Sequence, residues 1–418
     1  MSKNAFYAQS GGVTAVINAT ACGVIETARR YKTKIGKVYA GCNGIVGALT
    51  EDLIDTSQET AKAIAGLRYT PGGAFGSCRY KLKSIEENRA EYERLLEVFA
   101  AHDITYFFYN GGGDSQDTAH KISLLSQAVG YPLTCIGIPK TVDNDLPFTD
   151  NSPGFGSVAK YIAISTREAG LDVASMYATS TKVFIMEVMG RHTGWIAAAS
   201  GLASEKKGEP PHIILFPEII FHEDTFLKQV NKTVNDYGYC VVVLSEGVRN
   251  AKNEFLIESA ASDAFGHKQL GGAAPMVAQL IKSKLGFKYH WALPDYLQRS
   301  ARHIASAVDV KQAYAVGKAA IELAIKGKTD VMPIIVRKAG KRYAWTIGEA
   351  KLADVANQEK KLPRSFITAD GFHITPRCRN YLLPLIQGED YPVYIKGLPN
   401  YIHLKQHKVL KKLKEYCI

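Results

Sequence analysis

Apolar and polar positions alternate along the chain in blocks of two kinds. Short runs rich in β-branched and aromatic residues end in glycine or a polar cluster, as in "AFYAQSGG", "ITYFFYNGGGD", "LTCIGIPKT", "VFIMEVMGR", "HIILFPE", "YCVVVLSEG" and "VMPIIVR". Between them lie segments with helical spacing, such as "AVINATACGVIETARRY", "IEENRAEYERLLEVFAAH", "SQDTAHKISLLSQAV" and "VKQAYAVGKAAIELAIKG". Strands that alternate with helices predict an α/β fold with mostly parallel sheets and helices on both faces.

The length of 418 residues predicts more than one domain. A polar segment rich in glycine and proline, residues 141–156, is a candidate hinge. We therefore predict two Rossmann-like three-layer αβα halves, 1–150 and 151–330, and a C-terminal extension, 331–418, that packs back on the body. In the tail "HLKQHKVLKKLKEYCI" the apolar positions Leu404, Val409, Leu410 and Leu413 fit one face of a short helix. A solvated helix is preferred there over a membrane or nucleic-acid anchor.

Composition narrows the class of protein. The 51 basic and 40 acidic residues give a formal charge of +11, but no stretch interleaves basic with aromatic residues as single-strand binders do. We expect no nucleic-acid partner. The seven cysteines are odd in number and lack CxxC spacing, which disfavours disulfides and zinc. With no signal-peptide pattern and no long apolar run, we expect a cytoplasmic protein without a membrane partner.

Unusual residues follow several of the predicted strands. "QSGG", "NGGGDS", "PKTVDND", "MGRHTGW" and "SEGVR" each come directly after an apolar run. In open α/β sheets ligands bind beyond the carboxyl ends of the strands. The pattern therefore predicts a ligand site at that edge.

Two glycine-rich segments could approach phosphate. Gly11 and Gly12 lead from a strand into a helix, where backbone N–H groups can meet an anion, although a plain tight turn fits equally. The loop 70–81 ends in Arg79 and Lys81, which suit a terminal phosphate, although an ordinary surface loop looks the same.

Charged residues in two other segments suggest chemistry. Lys140, Asp143 and Asp145 in "PKTVDND" could deprotonate a hydroxyl, hold Mg²⁺ or form an Asx-rich turn, and their position after a strand favours function. Arg299 and Arg302 in "DYLQRSARH" would share a face if that segment is helical, either to clamp a sugar phosphate or as a solvated basic helix.

Taken in order, these motifs resemble the phosphofructokinase family. The matching pieces are Gly11-Gly12, "GGGDS", "PKTVDND", "MGR", "SEG" and "YLQR", and they span roughly residues 5–325. The resemblance implies a phosphofructokinase-like fold and a phosphotransferase activity on fructose 6-phosphate. The final stretch of the chain lies beyond the matched part.

Two positions bear on the phosphoryl donor. ATP-using members carry Gly-Gly-Asp-Gly-Ser and Pro-Gly-Thr at these places. In the first motif this chain has Asp114 at the second variable position, and in the second motif it has Lys140 in place of the glycine. Both changes resemble the pyrophosphate-dependent members, which implies reversible phosphorylation of the 1-hydroxyl in glycolysis or gluconeogenesis. A carboxylate at 114 would repel a nucleotide α-phosphate, and shorter pyrophosphate avoids it. An ATP-dependent 6-phosphofructokinase and a non-catalytic sugar-phosphate sensor are the alternatives.

The resemblance also implies residue roles. Asp143 is the general base, with Lys140 and Asp114 as further catalytic residues. Because Gly113 stands where ATP-type members have an acid, Mg²⁺ would rely on Asp114, which is the expected ligand, on Asp143 or Asp145, or on waters. The implied donor-binding residues are Gly11, Gly12, Arg79 and Gly112. The implied sugar-phosphate residues are Thr141, Lys182, Met189, Gly190, Arg191, Glu246, Tyr296 and Arg299. Lys182 would come from a neighbouring subunit, so we expect a homodimer or homotetramer with active sites completed across an interface.

Overall fold

The computed structural model describes residues 3–257, 271–340 and 342–417. Its strands are β1 (Lys3–Ser10), β2 (Ile35–Gly41), β3 (Leu53–Asp55), β4 (Ser77–Cys78), β5 (Ile104–Gly111), β6 (Thr134–Pro139), β7 (Val183–Val188), β8 (Ile213–Leu215), β9 (Cys240–Ser245), β10 (Tyr289–Ala292), β11 (Val331–Arg337), β12 (Trp345–Lys351), β13 (Tyr394–Ile395) and β14 (Leu398–Pro399). Its helices are α1 (Ile17–Arg30), α2 (Ile45–Leu49), α3 (Ala61–Gly66), α4 (Arg89–Ala101), α5 (Gly113–Ala128), α6 (Phe155–Met176), α7 (Trp195–Ser200), α8 (Glu223–Tyr237), α9 (Ala273–Leu285), α10 (Tyr296–Ser300), α11 (Ala307–Ile325), α12 (Leu352–Val355) and α13 (Pro376–Leu382). The α/β prediction is confirmed, since each quoted apolar run contains a strand and each helical segment a helix.

The larger sheet has the order β12-β11-β6-β5-β1-β2-β3, and β4 pairs with the end of β1. Its inner pairs are parallel, whereas β3 and β12 run antiparallel at the edges. In the register of the central strands, Gln9 lies opposite Asn110 and Asn110 opposite Ile138. The strands β1, β5 and β6 therefore end side by side.

The burial of β1 explains the three layers around this sheet. Phe6 and Ala8 belong to one apolar cluster, which includes side chains of α4 and α5. Ala5 and Tyr7 point to the opposite cluster, which includes side chains of α1 and α11. A parallel strand that is buried on both faces needs helices on both sides of its sheet.

The chain divides into two compact units, and the boundaries differ from those predicted. The first unit comprises Met1–Gly154, Ala307–Glu359 and Glu389–Ile418, and the second comprises Phe155–Ser306 and Lys360–Gly388. The first break falls inside the expected hinge. The expected end at residue 330 and the separate extension are not observed, because β11 pairs with β6 and α11 packs on α1.

Two glycines allow α11 to approach α1 closely. A Cβ on Gly23 would lie 2.3 Å from the carbonyl oxygen of Tyr314. One on Gly317 would lie 2.2 Å from the carbonyl oxygen of Thr20. A larger residue at either position would push the helices apart, so these glycines fix residues 307–325 to the first unit.

The second unit is built on a parallel sheet of order β10-β7-β9-β8. All six residues of β9 are buried. Side chains of α8 and α9 cover one face, and α6 and α7 contact β7 and β9. Within residues 3–257, 271–340 and 342–417, none of the helices has the length and apolarity that crossing a membrane requires.

The predicted C-terminal helix is wrong. Residues 401–417, here called the C-terminal strap, run in extended form over the first unit, and the Val409 N–H donates to the Leu53 carbonyl at 2.9 Å. Val409 and Leu413 pack on one apolar cluster and Leu404 on the other, while Leu410 is 87% exposed. The helical spacing was misleading, because these side chains serve two faces of a sheet rather than one face of a helix.

Candidate active site

Three neighbouring strands of the first unit carry most of the predicted donor residues. β1 leads into Gly11 and Gly12, β5 leads into Gly112, and β6 leads into Lys140 and Thr141. Because the strand order is β6-β5-β1, these residues from distant stretches meet at one edge of the sheet.

Lys140 ties two of these strand ends together. Its side chain is buried, its N–H donates to the Gly111 carbonyl at 3.1 Å, and its Nζ donates to the Gly12 carbonyl at 2.7 Å. Gly11 has a φ of 71°, and a Cβ there would lie 3.5 Å from Lys140 Nζ. A positive charge is therefore held beside open glycine backbone, which is an arrangement suited to an anion.

The glycine-rich loop reaches the same edge through β4. The Gly11 N–H donates to the Cys78 carbonyl at 2.9 Å, and Ser77 Oγ donates to the Gly11 carbonyl at 2.7 Å. Arg79 follows directly and is exposed. Arg79 thus lies at the end of a short strand that is bonded to the Gly11 turn.

Asp114 lies in the first turn of α5, which begins at Gly113 after Gly112 as the N-cap. Its Oδ1 is 2.7 Å from Lys81 Nζ, and both side chains are partly exposed. The helix N-terminus favours a negative group there. The sequence places Lys81 in the glycine-rich loop, but no pattern in it predicts the pairing with Asp114.

Asp143 sits in a tightly bonded turn after β6. Its N–H donates to Thr141 Oγ1 at 3.1 Å, and Thr141 itself pairs with Gly154. The next residue, Asn144, has a φ of 55°, and its side chain accepts from the Ser152 N–H at 3.0 Å. The half-buried carboxylate is therefore carried on a fixed loop of the first unit.

In the second unit, the loops after β7 and β9 interlock. The Gly190 N–H donates to Glu246 Oε1 at 3.3 Å, and Ser245 Oγ donates to the Gly190 carbonyl. Gly190 has a φ of 129°, and a Cβ on Gly247 would lie 2.0 Å from the Arg191 carbonyl oxygen. Because β7 and β9 are adjacent, Met189, Gly190, Arg191 and Glu246 come together at one edge.

The electrostatics of Glu246 reflect this setting. Burial raises the pKa of its carboxyl above the ordinary value, and the neighbouring Glu187 and Asp295 add to the rise. The Gly190 N–H and the charge of Arg191 act in the opposite direction without cancelling it. A carboxyl held in this way can accept or donate a hydrogen bond to a sugar hydroxyl.

Helix α10 is joined to the β7 loop by Gln298. Its side-chain oxygen accepts from the Met189 N–H at 3.2 Å. The Arg299 guanidinium stacks on the Tyr296 ring at 3.8 Å, and that ring is 60% exposed. The Gln298 bond therefore ties the short helix that carries Tyr296 and Arg299 to the Met189 loop.

The predicted helical pairing of Arg299 with Arg302 is wrong. The helix ends at Ser300, and Arg302 lies in a separate 3-10 turn with its side chain fully buried. The two guanidiniums do not share a helix face.

The chain matches the family model described as Phosphofructokinase over residues 4–324. The chain belongs to the phosphofructokinase family. It is 66% identical to a pyrophosphate–fructose 6-phosphate 1-phosphotransferase of Methylococcus capsulatus, covering 99% of this chain and 98% of that protein. A protein of the same name from Halomonas elongata is 65% identical, covering 99% of each. The crystal structure of a pyrophosphate-dependent phosphofructokinase from Marinobacter aquaeolei superposes with a TM-score of 0.92 at 63% identity, covering 100% of both chains.

Lys182 lies apart from the other predicted sugar-phosphate residues of this phosphofructokinase. It precedes β7, whereas Met189 and Arg191 follow it, so about 20 Å of strand separates them. Its Nζ lies 5.3 Å from the centre of the Tyr177 ring. Within one subunit, Lys182 is therefore not brought to the loop that carries Arg191.

Two side-chain contacts at these edges were not predicted from the sequence. Lys81 pairs with Asp114, and Gln298 holds the Met189 loop. Gln298 lies inside the "YLQR" motif, so the motif itself contained a signal for it. The partnership of Lys81 had no such signal, because it depends on the path of the loop.

The described residues contain no group of three or more His, Cys, Asp or Glu side chains arranged to hold a metal. Mg²⁺ commonly binds proteins through one or two carboxylates and takes its other ligands from phosphate and water. Asp114, with one oxygen engaged by Lys81, fits a role of that kind.

Proposed function

We propose that this phosphofructokinase transfers a phosphoryl group from pyrophosphate to the 1-hydroxyl of fructose 6-phosphate. The carboxylate of Asp143 takes the hydroxyl proton, the sugar oxygen bonds to the terminal phosphorus, and the bridging P–O bond breaks. The products are fructose 1,6-bisphosphate and inorganic phosphate. Because one phosphate bond replaces another of similar energy, the reaction runs in both directions.

The choice of pyrophosphate as the donor rests on two residues, Asp114 and Lys140, which follow the strands β5 and β6. Asp114 puts a carboxylate at the first turn of α5, where a nucleotide would bring its α-phosphate. Two like charges 4 Å apart cost on the order of 4 kcal/mol near a protein surface. Lys140, buried against Gly12, would stabilise the charge on the transferring and leaving phosphates. The names of the close relatives support the same donor.

Each substrate has its own set of proposed binding residues. Gly11, Gly12, Gly112 and Arg79 would hold pyrophosphate. The residues proposed to contact the sugar phosphate are Thr141, Met189, Gly190, Arg191, Glu246, Tyr296 and Arg299. Bound Mg²⁺ would neutralise pyrophosphate oxygens, with Asp114 as its protein ligand.

The position of Lys182 supports an assembly of subunits. Since it stands at the far end of β7 from Arg191, we propose that it reaches the sugar phosphate of a neighbouring subunit in a homodimer or homotetramer. We also propose a cytoplasmic location, where the seven cysteines, all free thiols within the described residues, stay reduced.

The test is a matrix of donors and acceptors. Initial rates are measured with pyrophosphate or ATP, with fructose 6-phosphate or sedoheptulose 7-phosphate, and with Mg²⁺ or a chelator. We expect efficient turnover with pyrophosphate, fructose 6-phosphate and Mg²⁺. Turnover with ATP and none with pyrophosphate would contradict the donor. Sugar-phosphate binding without any turnover would point to a sensor.

The proposed base is tested separately by Asp143→Asn, with Asp145→Asn from the same turn as the matched control. We expect Asp143→Asn to lower kcat by about 10²- to 10⁴-fold while the KM for fructose 6-phosphate stays within a few fold. A loss confined to the Asp145 variant would remove Asp143 as the base.

A further inference from the structure

The glycine-rich loop that leads to Arg79 is anchored by two of its residues, Thr70 and Ala74. On one side both are held by Asn18 of α1. Asn18 Nδ2 donates to the Thr70 carbonyl at 2.9 Å, and Asn18 Oδ1 accepts from the Ala74 N–H at 3.0 Å. The loop therefore has a fixed attachment to the helix that follows the Gly11 turn.

The C-terminal strap holds the same two residues from the other side. The Ile402 N–H donates to Thr70 Oγ1 at 3.0 Å. Gln406 Nε2 donates to the Ala74 carbonyl at 2.9 Å. Each anchor thus carries one bond to α1 and one to the strap, and the strap bonds come from the far end of the sequence.

The loop needs such anchors because of its composition. Gly72 and Gly76 have φ values of 77° and 76°, and a Cβ on Gly72 would meet no atom of the described residues within 4 Å. Glycine loses more conformational freedom on ordering than any other residue. Anchors that are already in place lower the cost of ordering the loop when a ligand binds.

The anchored loop continues directly into β4, which is hydrogen-bonded to the Gly11 turn. Ser77 and Cys78 form β4, which is hydrogen-bonded to both the N–H and the carbonyl of Gly11. Lys140 Nζ then bonds to Gly12. Within the first unit, hydrogen bonds at its two ends and the covalent backbone of residues 74–78 between them therefore link the strap to the backbone proposed to meet the donor.

We propose that the C-terminal strap positions the phosphoryl donor, with Gln406 as a positioning residue that acts through Ala74 and the glycine-rich loop. The inference rests on the proposed function in taking Gly11, Gly12 and Arg79 as donor contacts. It assigns to residues beyond the family match a role in donor affinity rather than in bond making.

The experiment compares Gln406→Met with Lys408→Met in the full chain. The first change keeps the length of the side chain and removes the donor to Ala74. The control alters the same strap at an exposed residue that pairs with Asp52. We expect Gln406→Met to raise the KM for pyrophosphate roughly two- to tenfold, the range for one hydrogen bond. The kcat, the KM for fructose 6-phosphate and the melting temperature should match the control.

A second pair of variants addresses the other anchor. Thr70→Val removes the hydroxyl that accepts from Ile402, whereas Thr70→Ser keeps it. We expect the valine variant to have a higher KM for pyrophosphate than wild type and the serine variant to have the wild-type KM. An unchanged KM for pyrophosphate in both Gln406→Met and Thr70→Val would overturn the proposal, as would an equal rise in both substrates' KM values.

Hydrogen exchange supplies a readout that does not depend on the reaction. Without ligand, amides of residues 70–78 should exchange several-fold faster in Gln406→Met than in Lys408→Met. Unchanged exchange would overturn the proposal. If the wild-type protein uses ATP and not pyrophosphate, the proposed function fails. The strap inference is then decided by the KM for ATP together with the same exchange rates.

Discussion

Asp114 has a partner that changes how its charge acts. The ion pair with Lys81 leaves the side chains 32% and 41% exposed, so the pairing itself contributes at most about 1 kcal/mol to stability. It nevertheless places a cation beside the carboxylate that is proposed to exclude nucleotides. The exclusion of a nucleotide therefore combines the bulk of the carboxylate with a charge that is only partly balanced.

Asp114→Gly should admit ATP. The change removes both bulk and charge, and it frees Lys81 to meet a nucleotide phosphate. We expect ATP affinity to rise at least tenfold, which is about 1.4 kcal/mol, and the KM for pyrophosphate to rise as well. Calorimetric titration with ATP and steady-state kinetics measure the two effects.

Asp114→Asn separates volume from charge. It keeps the size of the side chain, so ATP binding by the glycine variant alone would assign the exclusion to volume. Unchanged ATP affinity in both variants would refute the proposal that Asp114 excludes ATP.

At this scale, residue types at strand ends were predictable and their pairings were not. Gly11, Gly112 and Lys140 could be located from the sequence because apolar runs mark where strands end. The contacts of Lys81 and Gln298 depend on the course of a loop and on the docking of a short helix, which no local pattern encodes.

At the scale of elements, the long strands and helices were predictable and the terminal segment was not. The strap has helix-like spacing and good helix formers, but its backbone groups bond to the edge strand β3 instead. Tertiary pairing outweighed local propensity there. Helix α10 also ends earlier than the sequence suggests, at Ser300, and Arg302 beyond it is fully buried.

Glu51 attaches the far end of the strap. Its carboxylate accepts from the Lys412 N–H at 2.6 Å, from the Leu413 N–H at 3.0 Å and from His102 Nε2 at 2.7 Å. Burial alone would raise the pKa of Glu51, but these hydrogen bonds outweigh it and hold the pKa below the ordinary 4.5. The carboxylate form therefore stabilises the docked strap.

The strap should loosen in acid through Glu51. A carboxyl with a depressed pKa contributes stability above its unfolded pKa and loses it as pH falls through the folded pKa. We expect Glu51→Gln to lower the local opening free energy of the Lys412 and Leu413 amides by about 1–3 kcal/mol at pH 7. The difference from wild type should shrink below pH 4.5.

Hydrogen exchange of these two amides between pH 7 and pH 3 measures the difference. Asp52→Asn, which alters the exposed pair with Lys408, is the control. A difference that stays constant over this range would contradict the role of the Glu51 carboxylate.

At the scale of the whole molecule, the sequence predicted two α/β units and the first boundary between them. It did not predict that the first unit is discontinuous. "VMPIIVR" reads as a strand, but its place beside β6 depends on a pairing between residues as far apart as Ile136 and Val331. Such a pairing leaves no trace in local periodicity.

Mixed assemblies test the proposed neighbour role of Lys182. Lys182→Ala and Asp143→Asn should each be nearly inactive alone. If sites are shared by pairs of subunits, exchange at equal amounts makes half of the pairs hybrids with one intact site, so activity should recover to about a quarter of wild type. Coupled assay of fructose 1,6-bisphosphate formation before and after exchange measures it.

The control mixes Asp143→Asn with Lys140→Met, since both residues lie on the first unit of the same chain. That mixture should stay inactive. No recovery in the first mixture, despite proven subunit exchange, would place Lys182 outside the neighbouring site.

The discontinuous first unit has a consequence for synthesis on the ribosome. When residues up to Gly154 have emerged, β6 still lacks its neighbour β11, and α1 lacks the helix that its Gly23 is shaped to receive. The sheet β10-β7-β9-β8 is complete once Ala292 has appeared. The sheet of the second unit can therefore be complete before that of the first. Until β11 has been synthesised, the first sheet keeps an open edge that chaperones or neighbouring nascent chains can reach.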